Sequence, residues 1–293
     1  MSGRILDGRA VASRLWRDLS DRIADLHERT GATPRLAIIR FDARGPSAVY
    51  ANSVWRAARS VGVEAIEIEP PEGVSLSDLA ARIGALNRDP SVAGIVVAQP
   101  VPAHLDANAV VALIDPIKDV DGATPLNAGR IARGERTFVP ATALAVMAIL
   151  RTYEVPIAGR RAVVIGRSAV VIDCGINTTP NGIVGDVDFA AVRPVVAAIT
   201  PVPGGVGPVT TMMLLEQTVE AAERAESQDE PALDRYALPD RQAATPTART
   251  RTLADRGVHE VADHLVERDR PVDQPEALHR RVSAAPDGVI DDP

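Results

Sequence analysis

The sequence holds one cysteine, Cys174, and one lysine, Lys118, in 293 residues. A lone cysteine closes no internal disulfide, so the fold has to stand on its apolar core, and the count fits a reducing cytosol. With 31 arginines beside that single lysine, chemistry that needs an ε-amino group has one candidate. Long apolar runs are missing as well. Stretches such as Val195-Val196-Ala197-Ala198-Ile199 are strand-sized, and none crosses a bilayer as a helix. The opening Met1-Ser2-Gly3-Arg4-Ile5-Leu6-Asp7 lacks the apolar segment of a secretory signal. Net positive charge is absent, at -7, so attraction to nucleic acid is not expected. Histidines number five, and the nearest two, His259 and His264, are five apart, a poor spacing for a helical metal pair.

What is present is an ordinary globular composition, 46% hydrophobic and 24% charged. The length suits about two domains of ~150 residues. Over the first 150 residues helix and strand patterns alternate. Val11, Leu15, Leu19, Ile23 and Leu26 line one helical face. Leu36-Ala37-Ile38-Ile39 reads as a buried strand, and Ser47 can cap a helix reaching about Ser60. Residues 63–68 alternate as a strand, and Ser75 can cap a helix holding Leu79, Ile83 and Leu86. Ala93-Gly94-Ile95-Val96-Val97 is a further buried strand. A helix over 107–114 leads to a polar loop over 115–122, and a longer helix over 142–153 leaves the first domain. Apolar strands alternating with helices predict an α/β fold with a parallel, helix-covered sheet. Further on, 161–166 and 169–173 read as strands separated only by Arg167-Ser168, which a hairpin or one bent strand can accommodate. A helix over 209–224 follows. From Ala225 onward, nine arginines face fifteen acidic residues among seven prolines. That composition predicts an acidic, mostly disordered tail with one candidate amphipathic helix on Leu253, Val258, Val261 and Leu265.

Several segments are suited to chemistry. Ser47, Tyr50 and Val54 share a helical face, and Tyr50 can stack on a flat ligand or serve as a half-buried core aromatic. Asp119-Val120-Asp121-Gly122 sets two carboxylates on a loop, either for cations and polar ligand edges or as a solvated turn. Gly166-Arg167-Ser168 can open a phosphate-binding turn or simply end a strand, and its arginine suits the 2′-phosphate of NADP over NAD. Pro203-Gly204-Gly205-Val206-Gly207-Pro208 is a rigid loop, poor in side chains, that lets backbone groups approach a ligand. Cys174 reads as a buried thiol in a strand, without a basic activator.

Taken in order, Ile5-Leu6-Asp7-Gly8, Ser47-x-x-Tyr50, Asp119-Val120-Asp121-Gly122, Gly166-Arg167-Ser168, Asp173-x-Gly175-Ile176-Asn177, Gly185-Asp186-Val187 and residues 203–208 followed by Thr210 carry a resemblance. Over about residues 3–224 the chain resembles the bifunctional methylenetetrahydrofolate dehydrogenase/methenyltetrahydrofolate cyclohydrolase family. The resemblance implies a folate/catalytic α/β domain at 1–141 and a shortened Rossmann-like NADP domain at 142–200. It further implies a glycine loop and helix at 201–224 that return to the first domain, with the tail at 225–293. It implies a cytoplasmic homodimer, with no nucleic-acid or membrane partner. Such a protein oxidises 5,10-methylenetetrahydrofolate with NADP and hydrolyses the methenyl product to 10-formyltetrahydrofolate. By position, Tyr50 and Asp121 are the catalytic candidates, Tyr50 stacking on the folate's aromatic part and Asp121 holding the pterin. Gln99, Pro100, Gly204, Gly205, Val206, Gly207 and Pro208 are the other substrate contacts. Gly166, Arg167, Ser168 and Ile176 face NADP.

The departures are as informative. The family's Ser-x-x-Tyr-x-x-x-Lys ends here in Val54, and that lysine is the proton-transfer group of the cyclohydrolase step. Arg56 is near, but a guanidinium stays protonated. The family's Val-Gln-Leu-Pro becomes Val97-Ala98-Gln99-Pro100, which puts the glutamine one residue late and on the opposite face of a strand. After Ser168 about two βα units of ~30 residues each are missing, including the helix whose N-terminus would receive a pyrophosphate. The expectation is a family member without the cyclohydrolase step, with a catalytically inactive folate-binding relative as the alternative.

Overall fold

The computed structural model describes residues 3–42, 46–157, 170–180 and 182–227. Gly166, Arg167 and Ser168, the strand expected at 161–166 and the tail from residue 228 lie outside the described residues, as does the pairing of 161–166 with 169–173.

The chain opens with a two-residue strand, β1 (Arg4–Ile5), and the long helix α1 (Gly8–Thr30). Asp7 caps α1 by accepting the Arg9 amide at 2.9 Å, and Gly31, at φ +69°, closes it. Three parallel strands follow, with β2 (Arg35–Ile39) between β3 (Glu64–Ile68) and β4 (Val92–Val97). Leu36 and Ile38 enter one apolar cluster, Ala37 and Ile39 another, so both faces of the sheet are buried. This is the helix-covered parallel sheet expected from the continuous apolar strands.

Between these strands run α2 (Pro46–Val61) and α3 (Leu76–Arg88). Ser75 caps α3 through the Asp78 amide, as expected. Ser47 does not start its helix, because α2 begins at Pro46, and proline suits a first helical position. After β4, α4 (Ala107–Val111) stops three residues short of the expected 107–114. There the Leu113 and Ile114 amides turn to carbonyls three residues back, tightening the coil. Over 125–133, where the sequence pattern predicts no element, α5 (Pro125–Arg133) has a Thr124 cap, a leading proline and Gly134 at φ +74°. α6 (Ala141–Thr152) matches the helix expected over 142–153.

The later segment is sparser. β5 (Val170–Val171) is shorter than the expected 169–173 strand and pairs in parallel with β8 (Ala198–Ile199), which also pairs with β1. Between them lie the hairpin of β6 (Asn177–Thr179) and β7 (Gly182–Val184), then the four-residue α7 (Phe189–Val192) and a 3-10 turn at Arg193–Val195. The apolar run 195–199 is therefore only partly strand. Cys174, expected as a buried thiol in a strand, instead lies outside any strand and is exposed, because the chain has already left β5.

α8 (Val206–Ser227) starts three residues before the expected 209. Val206, Gly207 and Pro208 form its first turn, where proline costs no hydrogen bond. The helix packs against α1, α2, α6 and β4, and Met212, Met213, Leu214 and Leu215 are all buried. Arg22 of α1 fastens it through Glu223 (2.6 Å) and Glu216 (3.4 Å).

Candidate active site

A parallel bridge between Ile95 and Asp119 lays residues 118–120 beside β4, so Asp121 emerges level with that strand's carboxyl end. Ligands of open α/β sheets sit at this edge. The two carboxylates of Asp119-Val120-Asp121 then part company. Asp119 is fully buried and accepts the Ala123 amide (3.0 Å), the Thr124 amide (2.8 Å) and Asn127 Nδ2 (2.8 Å). Asn127, also fully buried, donates to the Pro116 carbonyl and accepts the Thr137 hydroxyl. Asp119 is therefore occupied in building the loop. Val120 enters the core, and Asp121, half-buried, takes no part in those loop bonds and meets the Ala141 amide instead.

Burial pushes the Asp121 carboxyl up to about 7, the Asp119 charge adds to the rise, and the Ala141 amide opposes it. Tyr50, on α2, is half-buried against the main core. Its hydroxyl is pushed well above the ordinary phenol value, first by burial and then by the charge of Asp121. The fold thus brings together an aromatic ring and a carboxylate 71 positions apart in the sequence.

Val54, one turn after Tyr50, is fully buried in that same core. The sole lysine is engaged elsewhere. Lys118 Nζ donates to the carbonyls of Leu86 (3.0 Å) and Asp89 (2.6 Å) at the end of α3, an arrangement that favours a cation. Burial lowers its pKa against the opposing pull of Asp89 and Asp115. Arg56 donates to the Asn52 carbonyl of its own helix (3.2 Å). Ala98 is fully buried, whereas Gln99 is exposed and turns its side-chain oxygen onto the Val101 amide (3.2 Å), with Pro100 exposed beside it. Both residues lie past the end of β4, so the expected strand faces do not apply to them.

In the glycine loop, Gly204 (φ +110°) accepts the Arg9 amide at 3.2 Å, and a Cβ on Gly8 would lie 1.7 Å from the Gly205 carbonyl oxygen. Gly204, Gly205 and Val206 are buried, so two of the loop's glycines serve its docking onto α1. Gly207 is exposed with open space around it, and Pro208 is half-buried.

In the later segment, Ile176 is 73% exposed. Asp173 is buried and accepts the amides of Gly175 (2.9 Å), Asp186 (3.1 Å) and Val187 (3.2 Å), which draws the two quoted motifs together. The Cys174 thiol is held up in pKa by what burial it has and by the charges of Asp173 and Asp186, so it remains a weak nucleophile. Among the described residues of 170–200 the one α-helix is α7, whose Asp188 cap already takes the Ala191 amide. An exposed Ile176 suits a flat ring, but these residues offer no helix end to a pyrophosphate.

Residues 6–121 match the tetrahydrofolate dehydrogenase/cyclohydrolase catalytic-domain model, and residues 167–226 match that family's NAD(P)-binding-domain model. The chain belongs to the tetrahydrofolate dehydrogenase/cyclohydrolase family. Its architecture is accordingly the family's catalytic domain plus NAD(P)-binding domain. The bifunctional protein FolD of Lacticaseibacillus casei is 37% identical over 276 residues, taking in 75% of this chain and 97% of the relative. Among solved structures, the NADP- and inhibitor-complexed methylenetetrahydrofolate dehydrogenase-cyclohydrolase of Trypanosoma brucei superposes with a TM-score of 0.72 at 31% identity, covering 77% of this chain and 99% of the other. The bifunctional enzyme from Campylobacter jejuni gives 0.70 at 29%, covering 76% and 99%. Three quarters of 293 residues is about 220, against 276 aligned positions, so the L. casei relative carries about 56 residues with no counterpart here. That is close to the two βα units missing from the motif order.

Proposed function

We propose that the protein binds a reduced folate at the carboxyl end of β4, with Tyr50 stacked on its aromatic part and Asp121 accepting hydrogen bonds from the pterin. The observation that supports this most is the half-buried Tyr50–Asp121 pair, electrostatically coupled and aligned with the family's catalytic-domain model. A pterin presents adjacent N–H groups that a single carboxylate can accept together. Gly207, in its open position, is the loop residue best placed to line the cleft, with Gln99, Pro100, Gly204, Gly205, Val206 and Pro208 as the further proposed contacts. The cyclohydrolase step is lost in this reading. Val54 moves no proton, Lys118 is tied to α3, and Arg56 stays charged.

The activity that remains is oxidation of 5,10-methylenetetrahydrofolate, for which NADP, when bound, supplies the hydride acceptor. Gly166, Arg167, Ser168 and Ile176 are its proposed contacts, within a domain proposed to span 142–200, and a homodimer is the proposed assembly. Binding without turnover is the second reading, favoured by the lack of a pyrophosphate-ready helix among the described residues of 170–200. Mixing the protein with 5,10-methylenetetrahydrofolate and NADP separates the two. Growth of reduced-cofactor absorbance establishes the dehydrogenase, whereas quenching of Trp55 fluorescence by folate without that growth establishes binding alone. Hydrolysis of the methenyl substrate above the buffer rate would overturn the loss of the cyclohydrolase. Absence of any folate binding by calorimetry would overturn both readings.

A further inference from the structure

Gln217 stands within α8 with only 2% of its surface exposed, and the folate chemistry above makes no use of it. Its Nε2 donates to the carbonyls of Val120 (2.8 Å) and Val139 (2.9 Å), and its Oε1 accepts the Val139 amide (2.9 Å). Both segments it joins bear on Asp121. Val120 precedes that residue directly, and the stretch after Val139 brings the Ala141 amide to its carboxylate. Gly122, at φ +62°, completes the closure, since a Cβ there would lie 2.4 Å from the Val139 carbonyl carbon. The carboxylate is therefore held between two strips of backbone that one side chain from a third element ties together.

We propose that Gln217 is a positioning residue for Asp121, fixing the spacing between 120–122 and 139–141 and so aiming the carboxylate at the pterin edge. An apolar side chain of equal length would leave the Val120 and Val139 groups that bond Gln217 without those partners. Asparagine, one methylene shorter, would not span both. The functional consequence rests on the folate reading, whereas the geometry does not.

The test compares Gln217→Met with Thr218→Val. Thr218 is the next residue on α8, is fully buried, and gives its hydroxyl to Leu214 within the helix (2.9 Å), so its loss reports general damage to α8. By calorimetry with tetrahydrofolate, Gln217→Met is expected to bind about tenfold more weakly, the scale of one misplaced charged hydrogen bond. Thr218→Val is expected to keep the wild-type Kd even where its Tm falls as far. In ligand-free protein, the Asp121 carboxyl titration followed by carbon NMR is expected to move in Gln217→Met and to stay in Thr218→Val. A wild-type Kd and titration in Gln217→Met, or equal changes in Thr218→Val, overturn the proposal. If wild-type protein ignores tetrahydrofolate, the folate reading fails by itself and the titration decides the positioning role alone. Should Gln217→Met not fold, Gln217→Asn is read in the same way.

Discussion

The two parallel sheets are held in different ways. In β3-β2-β4 the strands are five or six residues long and lie between two apolar clusters, so burial on both faces maintains the pairing. In β1-β8-β5 each strand has two residues, and the adjoining turns depend on one buried carboxylate, Asp173, that gathers three amides. Its middle strand β8 is buried, with Ala198 in the main apolar cluster, but the loops that follow β5 are gathered by hydrogen bonds at a single side chain. The first region meanwhile tolerates in Asp121 a carboxylate that the described hydrogen bonds satisfy far less fully. A stable frame can carry such a cost at a binding site.

Breaking this contrast gives a graded set of effects. The largest is electrostatic. A carboxyl raised from 3.8 to about 7 on folding weighs nothing while both states are protonated, destabilises the fold progressively as pH rises from about 4 to 7, and adds nothing further above 7. At about 1.4 kcal/mol per unit the descent is on the order of 4 kcal/mol. Asp121→Asn is expected to flatten it in urea unfolding curves taken from pH 4 to 8, and an unchanged curve would show a carboxyl that titrates normally. Ile38→Ala, in the buried centre of β2, is expected to cost about 3 kcal/mol of global stability, read as a lower urea midpoint. Asp173→Ala is expected to cost about 2 kcal/mol by stranding amides, and the loss should be local. Hydrogen exchange should quicken over 173–199 and stay unchanged in β2, β3 and β4, whereas protection lost in both sheets would dissolve the contrast. The smallest effect belongs to Arg29→Ala. Its exposed pair with Glu226 is expected to contribute about 0.5 kcal/mol or less, so a clear fall in Tm would mean that the α1–α8 contact depends on charge.

The first region was the more legible in sequence because its signals are periodic. Leu36 to Ile39 and the face of α1 state their burial directly. α5 is not visible in the apolar pattern although Thr124, Pro125 and Gly134 mark its ends, because its two large apolar residues, Leu126 and Ile131, are too few to set a period and are both exposed. The first turn of α8 read as loop because Gly207 and Pro208 are turn residues wherever packing does not decide otherwise. At the site, the motifs supplied Tyr50 and Asp121, yet their coupling and the diversion of Asp119 to loop building depend on contacts that no local pattern encodes. Gln217 was beyond reach for the same reason, since its partners lie 78 and 97 positions away. Ala98 and Gln99 do differ in burial, but both lie past the end of β4, where the chain bends ahead of Pro100, so strand alternation does not account for the difference.

The ammonium that closes the end of α3 is also the chain's sole target for a lysine-specific endoproteinase. With Nζ anchored on two carbonyls, the folded protein should withstand that enzyme, and any local opening there should divide it once, after residue 118. The molecule thus carries a built-in reporter: the rate at which two fragments appear measures how often this corner of the catalytic domain comes apart.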